Sequence, residues 1–170
     1  MSIDLGGIAK GYTVDRVLTL LRSAGVVSAA ISIGGDSGFL GDRGPEPGST
    51  KRIPWMVGIK HPRGEENQYA LRMPLVDVAF STSGDYERFY IDDGTGERVH
   101  HILDPATGLS VGKLVSVSVL GPSSMDCDAL STTLFVLGVE KGLELIETIE
   151  GYDAVLIDSA GKVHYSNGLQ

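Results

Sequence analysis

The sequence predicts an α+β fold in which mixed or antiparallel sheets pack with about three helices. Three observations carry this expectation. Three stretches show helical spacing or helix boundary signals, several strand candidates come in pairs joined by short turns, and 23 glycines supply turns along the 170 residues. That length suits one domain with a real core and is short for two. Residues 1–170 are therefore expected to form a single domain.

The first element is a helix. From Ile8 to Leu21, Val14, Val17, Leu18 and Leu21 recur in steps of three and four, which marks one helix face. It should stop near Ala24-Gly25, where glycine takes a left-handed cap. "VVSAAISIGGDSGFLG" then reads as a strand running into a turn at Gly34-Gly35-Asp36. Asp42 to Arg52 is rich in Pro, Gly and Ser and is charged, as a surface loop is. "IPWMVGIKHP" and "LVDVAFSTSG" are strand candidates, and "RFYIDDGTGERVHHIL" reads as a hairpin turning at Asp92 to Gly96. "LVSVSVLGPSS" alternates polar and apolar residues like a half-buried strand. Ser123 or Ser124 then caps a helix from about Met125 to Leu137, which ends at Gly138. A third helix, about Val139 to Ile149, leads to a closing hairpin that turns at Ser159 to Gly161.

A formal net charge of −8 argues against nonspecific binding to nucleic acid or an anionic membrane surface. A polyanion would need local Lys, backbone N–H groups or a divalent cation. No apolar run approaches the roughly 18 to 20 residues of a membrane span, so membrane insertion is not expected. "MSIDLGG" has neither the basic nor the apolar region of a signal peptide. With the single Cys127, no internal disulfide is possible.

Four clusters could carry chemistry. "DLGGIAKG", Asp4 to Gly11, places glycines and Lys10 ahead of a helix whose free N–H groups favour anions. It has neither the G-x-x-x-x-G-K-[ST] nor the G-x-G-x-x-G spacing, and Gly6 and Gly7 equally suit a tightly packed helix entry. In "DCDALSTTLFVLG", Asp128 and Thr132 are four apart and project from one helix face, with Ser131 beside them. Such oxygens suit a hard cation such as Mg²⁺. Asp126 in the first turn favours the helix dipole, and Ser or Thr often bonds back to a carbonyl instead. In "RVHHILDPATG" either His100 or His101 could act as a general base. On a strand the two point to opposite faces, so at most one faces a given site. "FSTSGDYERFY" offers Ser81, Thr82 and Ser83 to line a cleft, or else a polar strand end before a short helix near Asp85.

Taken in order, "IDLGGIAKGYTVD", "SIGGDSG", "STSGDYERFY", "HHILDPATG" and "DALSTTLFVLG" resemble the signature blocks of the FAD:protein FMN transferase family, also called ApbE. The resemblance runs from about Ile3 to the closing hairpin. It implies an ApbE-like fold and a Mg²⁺-dependent transfer of FMN from FAD to a Ser or Thr hydroxyl of a target flavoprotein, with release of AMP. It implies that Asp4, Lys10 and Ile102 contact FAD, and that the Gly7 carbonyl, Asp128 and Thr132 bind Mg²⁺ with Ser131 adjacent. His100 or His101 matches the histidine that assists catalysis, and spacing alone leaves both open. The resemblance further implies an acceptor protein from a membrane redox complex. Family members are usually exported and lipid-anchored.

Those members are also longer, with an N-terminal part ahead of the "DLGG" block that contributes much of the flavin pocket. The domain here is thus expected to be truncated on its N-terminal side, and this chain alone to bind FAD weakly or not at all. Two rival readings follow: a flavin-binding module without transfer activity, and a Mg²⁺-dependent pyrophosphatase that splits FAD into FMN and AMP. Pyrophosphate chemistry needs charge neutralisation more than covalent help. Asp128 is the one anionic ligand in the implied set and is expected to lie partly exposed in a cleft.

Overall fold

The chain first folds as a helix, α1 (Ala9–Ser23), that lays Val14 and Leu18 on a sheet. A computed structural model describes residues 3–65 and 67–170, so Met1, Ser2 and Glu66 of the expected 1–170 domain lie outside the described residues. Helix α1 ends as expected, with Gly25 at φ +78°. It sits close because the strand beneath it carries Gly38. A Cβ there would stand 2.5 Å from Leu18 Cδ1 and 2.8 Å from Val14 Cγ1.

Two strands, β1 (Ala29–Ile33) and β2 (Asp36–Leu40), replace the single expected strand. They pair antiparallel across Gly34-Gly35, with φ of +55° and +98°. A two-residue turn that needs positive φ twice matches the twist of the flanking strands, and glycine adopts it without strain. Asp36 is therefore the first residue of a strand rather than the last of a turn. The loop expected over 42–52 is present. Beyond it, β3 (Trp55–Lys60) pairs with β4 (Tyr69–Leu75), a strand that the sequence does not announce because Arg72 and Pro74 interrupt its pattern.

Next come β5 (Ala79–Gly84), the hairpin of β6 (Phe89–Ile91) with β7 (Arg98–His100), and β8 (Leu114–Gly121). Helices α2 (Ser124–Leu137) and α3 (Val139–Ile146) follow, then the hairpin of β9 (Asp153–Asp158) and β10 (Val163–Tyr165) and a short 3₁₀ turn, Asn167–Leu169. The main sheet has six strands in the order β1-β2-β5-β8-β9-β10, with every neighbour antiparallel. The fold is α+β with three helices, as the sequence predicts. Among the described residues, no helix is long and apolar enough to cross a membrane.

Three layers result. One core joins Val117, Val119, Ala154 and Leu156 of the sheet to Cys127, Leu134 and Phe135 of α2 and Ile146 of α3. On the other face Phe80, Leu120 and Val155 meet Ile59 and Leu75 of the β3–β4 ribbon. Strand β8 lies between both and is buried over its whole length, not half-buried as its alternation suggests. The alternation is real. Ser118 faces the ribbon side and pairs its hydroxyl with Thr82 at 2.8 Å, while Val117 and Val119 face the helices. Helix α3 is shorter than expected, ending at Ile146.

Helix α2 starts at the Ser123 cap, whose hydroxyl accepts from Asp126 N–H at 3.2 Å. Asp15 of α1 adds a second cap. Its carboxylate accepts from Ser124 N–H at 2.9 Å, Met125 N–H at 3.0 Å and the Ser123 hydroxyl at 3.0 Å. The anion sits where helix N–H groups and dipole attract it, and it pins α1 to α2. Asp15→Ala should lower stability by about 2 kcal/mol, near the upper end for losing a helix cap, because three donors lose one acceptor. A urea midpoint unchanged from the parent chain would refute this.

Candidate active site

Four elements bring polar side chains to one place at the α1–α2 end of the sheet. Strand β2 contributes Asp36, whose register partner on β5 is Ser81. Two residues on, Ser83 points to the same face because strand side chains alternate. Helix α2 presents Asp128, Ser131 and Thr132 one turn apart, on one face. Helix α1 delivers Lys10 and Gly11 in its first turn.

Contacts join them into one network. The Lys10 ammonium donates to Asp36 Oδ2 and, at 3.2 Å, to Asp128 Oδ1. Gly11 N–H donates to Asp128 Oδ2 at 3.1 Å. The Ser81 hydroxyl donates to Asp36 Oδ1. Ser131 lies 3.3 Å from Ser81 and 2.8 Å from Ser83, and Ser83 lies 3.1 Å from the Thr132 hydroxyl. Ser131 and Thr132 also reach the Asp128 carbonyl, at 3.0 and 3.4 Å.

Burial sets what these groups can do. Asp128 is 2% exposed, so the expectation of a partly exposed carboxylate is corrected: Gly11 and α1 close over it. Asp36 is buried too, whereas Lys10 and Thr132 are half-buried and Gly7 is exposed, so the cluster opens along these three. Burial pushes the Asp36 carboxyl above its usual value. Hydrogen bonds from Lys10 and Ser81 oppose this, and the Asp128 charge adds to it. For Lys10, burial disfavours the charge, but the bond to Asp36 and the charges of Asp36 and Asp128 outweigh it and raise its pKa above 10.5. On the Lys10 side, while Asp36 is ionised, the stability this ion pair contributes is thus fully present below pH 10.5 and lost as pH rises through the higher folded-state value.

Two carboxylates face one ammonium, leaving net negative charge among hard oxygen donors. Each Asp128 oxygen holds one hydrogen bond and keeps lone pairs free. The Gly7 backbone passes nearby, for a Cβ at Gly7 would lie 3.9 Å from the Thr132 hydroxyl. Asp128, Thr132 and the Gly7 loop therefore fit a small hard cation such as Mg²⁺, which takes few carboxylates and keeps places for waters or phosphate oxygens. Among the described residues, no cluster of three or more His, Cys, Asp or Glu forms a softer or more acidic site. Ser131 is fully buried with its hydroxyl engaged by Ser81, Ser83 and the Asp128 carbonyl, forming the wall behind the cluster.

The remaining sequence candidates lie further out. Asp4 is exposed and accepts from Gly6 N–H at 2.6 Å, shaping its own loop. Ile102 is buried in the core. The two histidines separate as adjacent strand-end residues should. His100 is buried: Nε2 donates to the Val111 carbonyl at 2.8 Å and Nδ1 accepts from Ile102 N–H at 3.2 Å, so both ring nitrogens are engaged. Its ring meets Phe135 edge-on at 5.6 Å, two turns along α2 from Asp128. That is about 10 Å along the helix axis. His101 is exposed, with Nδ1 3.3 Å from the Arg88 carbonyl and no partner at Nε2 among the described residues.

Asp36 is the site residue that sequence reasoning misses. Its signal is a Gly-Gly pair that closes a two-residue hairpin, which makes the next residue a strand residue with a defined face. The Arg63–Asp85 pair, with contacts of 2.8 and 2.5 Å, is also unannounced and holds the end of β5 in place of the expected short helix.

A family model described as "ApbE family" matches residues 1–156. An FAD:protein FMN transferase of Treponema pallidum is 41% identical, over 99% of this chain and 47% of that protein. One of Klebsiella pneumoniae is 38% identical, over 92% and 46%. Among solved structures, the ApbE protein of Thermotoga maritima superposes with a TM-score of 0.84 at 35% identity, covering 99% of this chain and 52% of that one. The flavinyl transferase ApbE of Pseudomonas stutzeri, in its apo form, gives 0.77 at 34% identity over 99% and 50%. The chain thus spans about half the length of the relatives it matches.

Proposed function

The chain belongs to the ApbE family, and from that premise we propose that it forms the metal- and pyrophosphate-holding part of an FAD:protein FMN transferase. The reaction moves FMN from FAD to a Ser or Thr hydroxyl of an acceptor protein. The observation that carries this reading is the meeting of Lys10, Asp128 and Thr132 beside the exposed Gly7 loop. An acidic chain admits a pyrophosphate only where such local features offset its charge.

In this reading Asp128, Thr132 and the Gly7 carbonyl hold Mg²⁺ against the Ser131 wall. The ion, when bound, neutralises charge that develops on the pyrophosphate. Lys10 holds a phosphate oxygen as a point charge, while Asp4 and the Ile102 segment meet other parts of FAD. The acceptor hydroxyl forms a bond to the FMN-side phosphorus, the bond to the AMP oxygen breaks, and the hydroxyl proton passes to a histidine. His101 suits that step better than His100, since only its Nε2 is open. The acceptor is a protein of a membrane redox complex in this reading, and residues 1–170 act as one ApbE-like domain.

Incubation with FAD, Mg²⁺ and a Thr-bearing acceptor peptide tests the proposal. Flavin covalently attached to the peptide, with one AMP released per attachment and neither product in EDTA, is the expected result. Free FMN and AMP with unmodified peptide would overturn transfer in favour of hydrolysis, and intact FAD would leave only a binding module.

A further inference from the structure

Asp36 commits both carboxylate oxygens inside the cluster, yet the reaction outlined above gives it no part. One oxygen holds the Lys10 ammonium and the other the Ser81 hydroxyl. It is 1% exposed, at the first position of β2 behind a two-glycine turn. The same turn confines the Lys10 stem, since a Cβ at Gly34 would lie 3.3 Å from Lys10 Cδ. The ammonium thus has two carboxylates within reach, and its contact with Asp36 is the shorter.

That choice matters for a divalent ion. An ammonium fully engaged with Asp128 would occupy lone pairs that the ion needs and repel its charge. An ammonium held by Asp36 stays beside Asp128 without taking it over. It remains at the edge of the cluster, where Lys10 is half-buried and open to an incoming phosphate.

We propose that Asp36 is a positioning residue that acts through Lys10: it draws the ammonium off Asp128 and so keeps Asp128 open to a divalent cation. This rests on the metal-site reading above. Ser81 shares in the arrangement, because its single proton goes to Asp36 and so fills the carboxylate oxygen that Lys10 does not hold.

A Mn²⁺ titration of the 170-residue chain at fixed FAD, read by the signal of free Mn²⁺, tests the idea in four proteins: the parent, Asp36→Asn, Lys10→Met and the double variant. Asp36→Asn should weaken Mn²⁺ binding at least about tenfold when Lys10 is present, because Lys10 then settles on Asp128. In the Lys10→Met background the same change should cost less than about threefold, a residue left for through-space charge. An equal loss in both backgrounds would mean that Asp36 acts directly by its charge, and would overturn the proposal. No loss in either would overturn it as well.

A measurement on the parent chain covers the case in which Asp36→Asn does not fold. With ¹³C-labelled Asp carboxyls, Mg²⁺ should shift the Asp128 resonance and leave that of Asp36 in place. An equal shift of both would make Asp36 a ligand and end the proposal. Absence of any Mn²⁺ binding by the parent would instead overturn the metal-site reading, so the two failures are distinguishable.

Discussion

Asp128→Asn should raise the dissociation constant for Mn²⁺ by at least about 100-fold, equivalent to roughly 3 kcal/mol of lost binding. The reason is charge. Asp128 is the one carboxylate in the proposed ligand set, and Thr132 and the Gly7 carbonyl are neutral. Asparagine keeps the size and one acceptor oxygen, so Gly11 N–H can retain its bond. Alanine is a poorer test. It leaves the buried Gly11 N–H without its acceptor and deprives Lys10 of a carboxylate, which should cost about 3 kcal/mol of fold stability. Mn²⁺ titration and urea unfolding of the same samples separate the two effects. Asp128→Asn that keeps its affinity within tenfold of the parent would show that Asp128 is not a ligand.

Gly11→Ala should be severely damaging, although it adds only one methyl. A Cβ there would stand 2.2 Å from the Ser124 carbonyl oxygen, 2.6 Å from its carbon and 2.7 Å from Met125 Cα. All three are backbone atoms of α2, so no side chain can turn aside. The helices must part, and with them Asp15 leaves the α2 N-terminus and Gly11 N–H leaves Asp128. A loss of about 3 kcal/mol or more is expected, at the upper end for overpacking, together with most of the Mn²⁺ affinity. Gly112→Ala is the control, because nothing lies within 4 Å of its Cβ position. Urea midpoints for the two variants within 1 kcal/mol of each other would refute the packing argument.

Local signals read well from the sequence wherever a local cause decides the structure. Gly25 and Gly138 end helices where expected because glycine alone enters their backbone conformations cheaply. Ser123 caps α2, and the Asp92–Gly96 turn closes a hairpin. Long-range causes did not read. Serines 116 and 118 give β8 the pattern of a half-solvated strand, but the ribbon of β3 and β4 covers that face. Strand β4 escaped notice because its pairing, not its composition, makes it a strand.

The candidate site divides in the same way. Lys10, Asp128, Ser131 and Thr132 stand out by residue type and spacing, and the fold brings them together. The burial of Asp128 depends on Gly11 of a distant helix, and the part of Asp36 depends on a hairpin turn that determines which way its side chain faces. The histidines needed the hairpin's own hydrogen bonds before they could be told apart.

The Lys10–Asp128 contact spans 118 positions of sequence, and the Ser81–Ser131 contact spans 50. Contacts of such separation form late, since long loops must close before they return any energy. No fragment that lacks α1, β2, β5 or α2 contains the cluster, so it arises only as those parts dock. A ligand taken up there binds the finished fold and none of its precursors, and it stabilises that fold by RT ln(1 + [L]/Kd). On the proposed metal-site reading the cluster would thus act as a latch, and Mn²⁺ should raise the melting temperature of the chain by an amount set by its concentration relative to Kd.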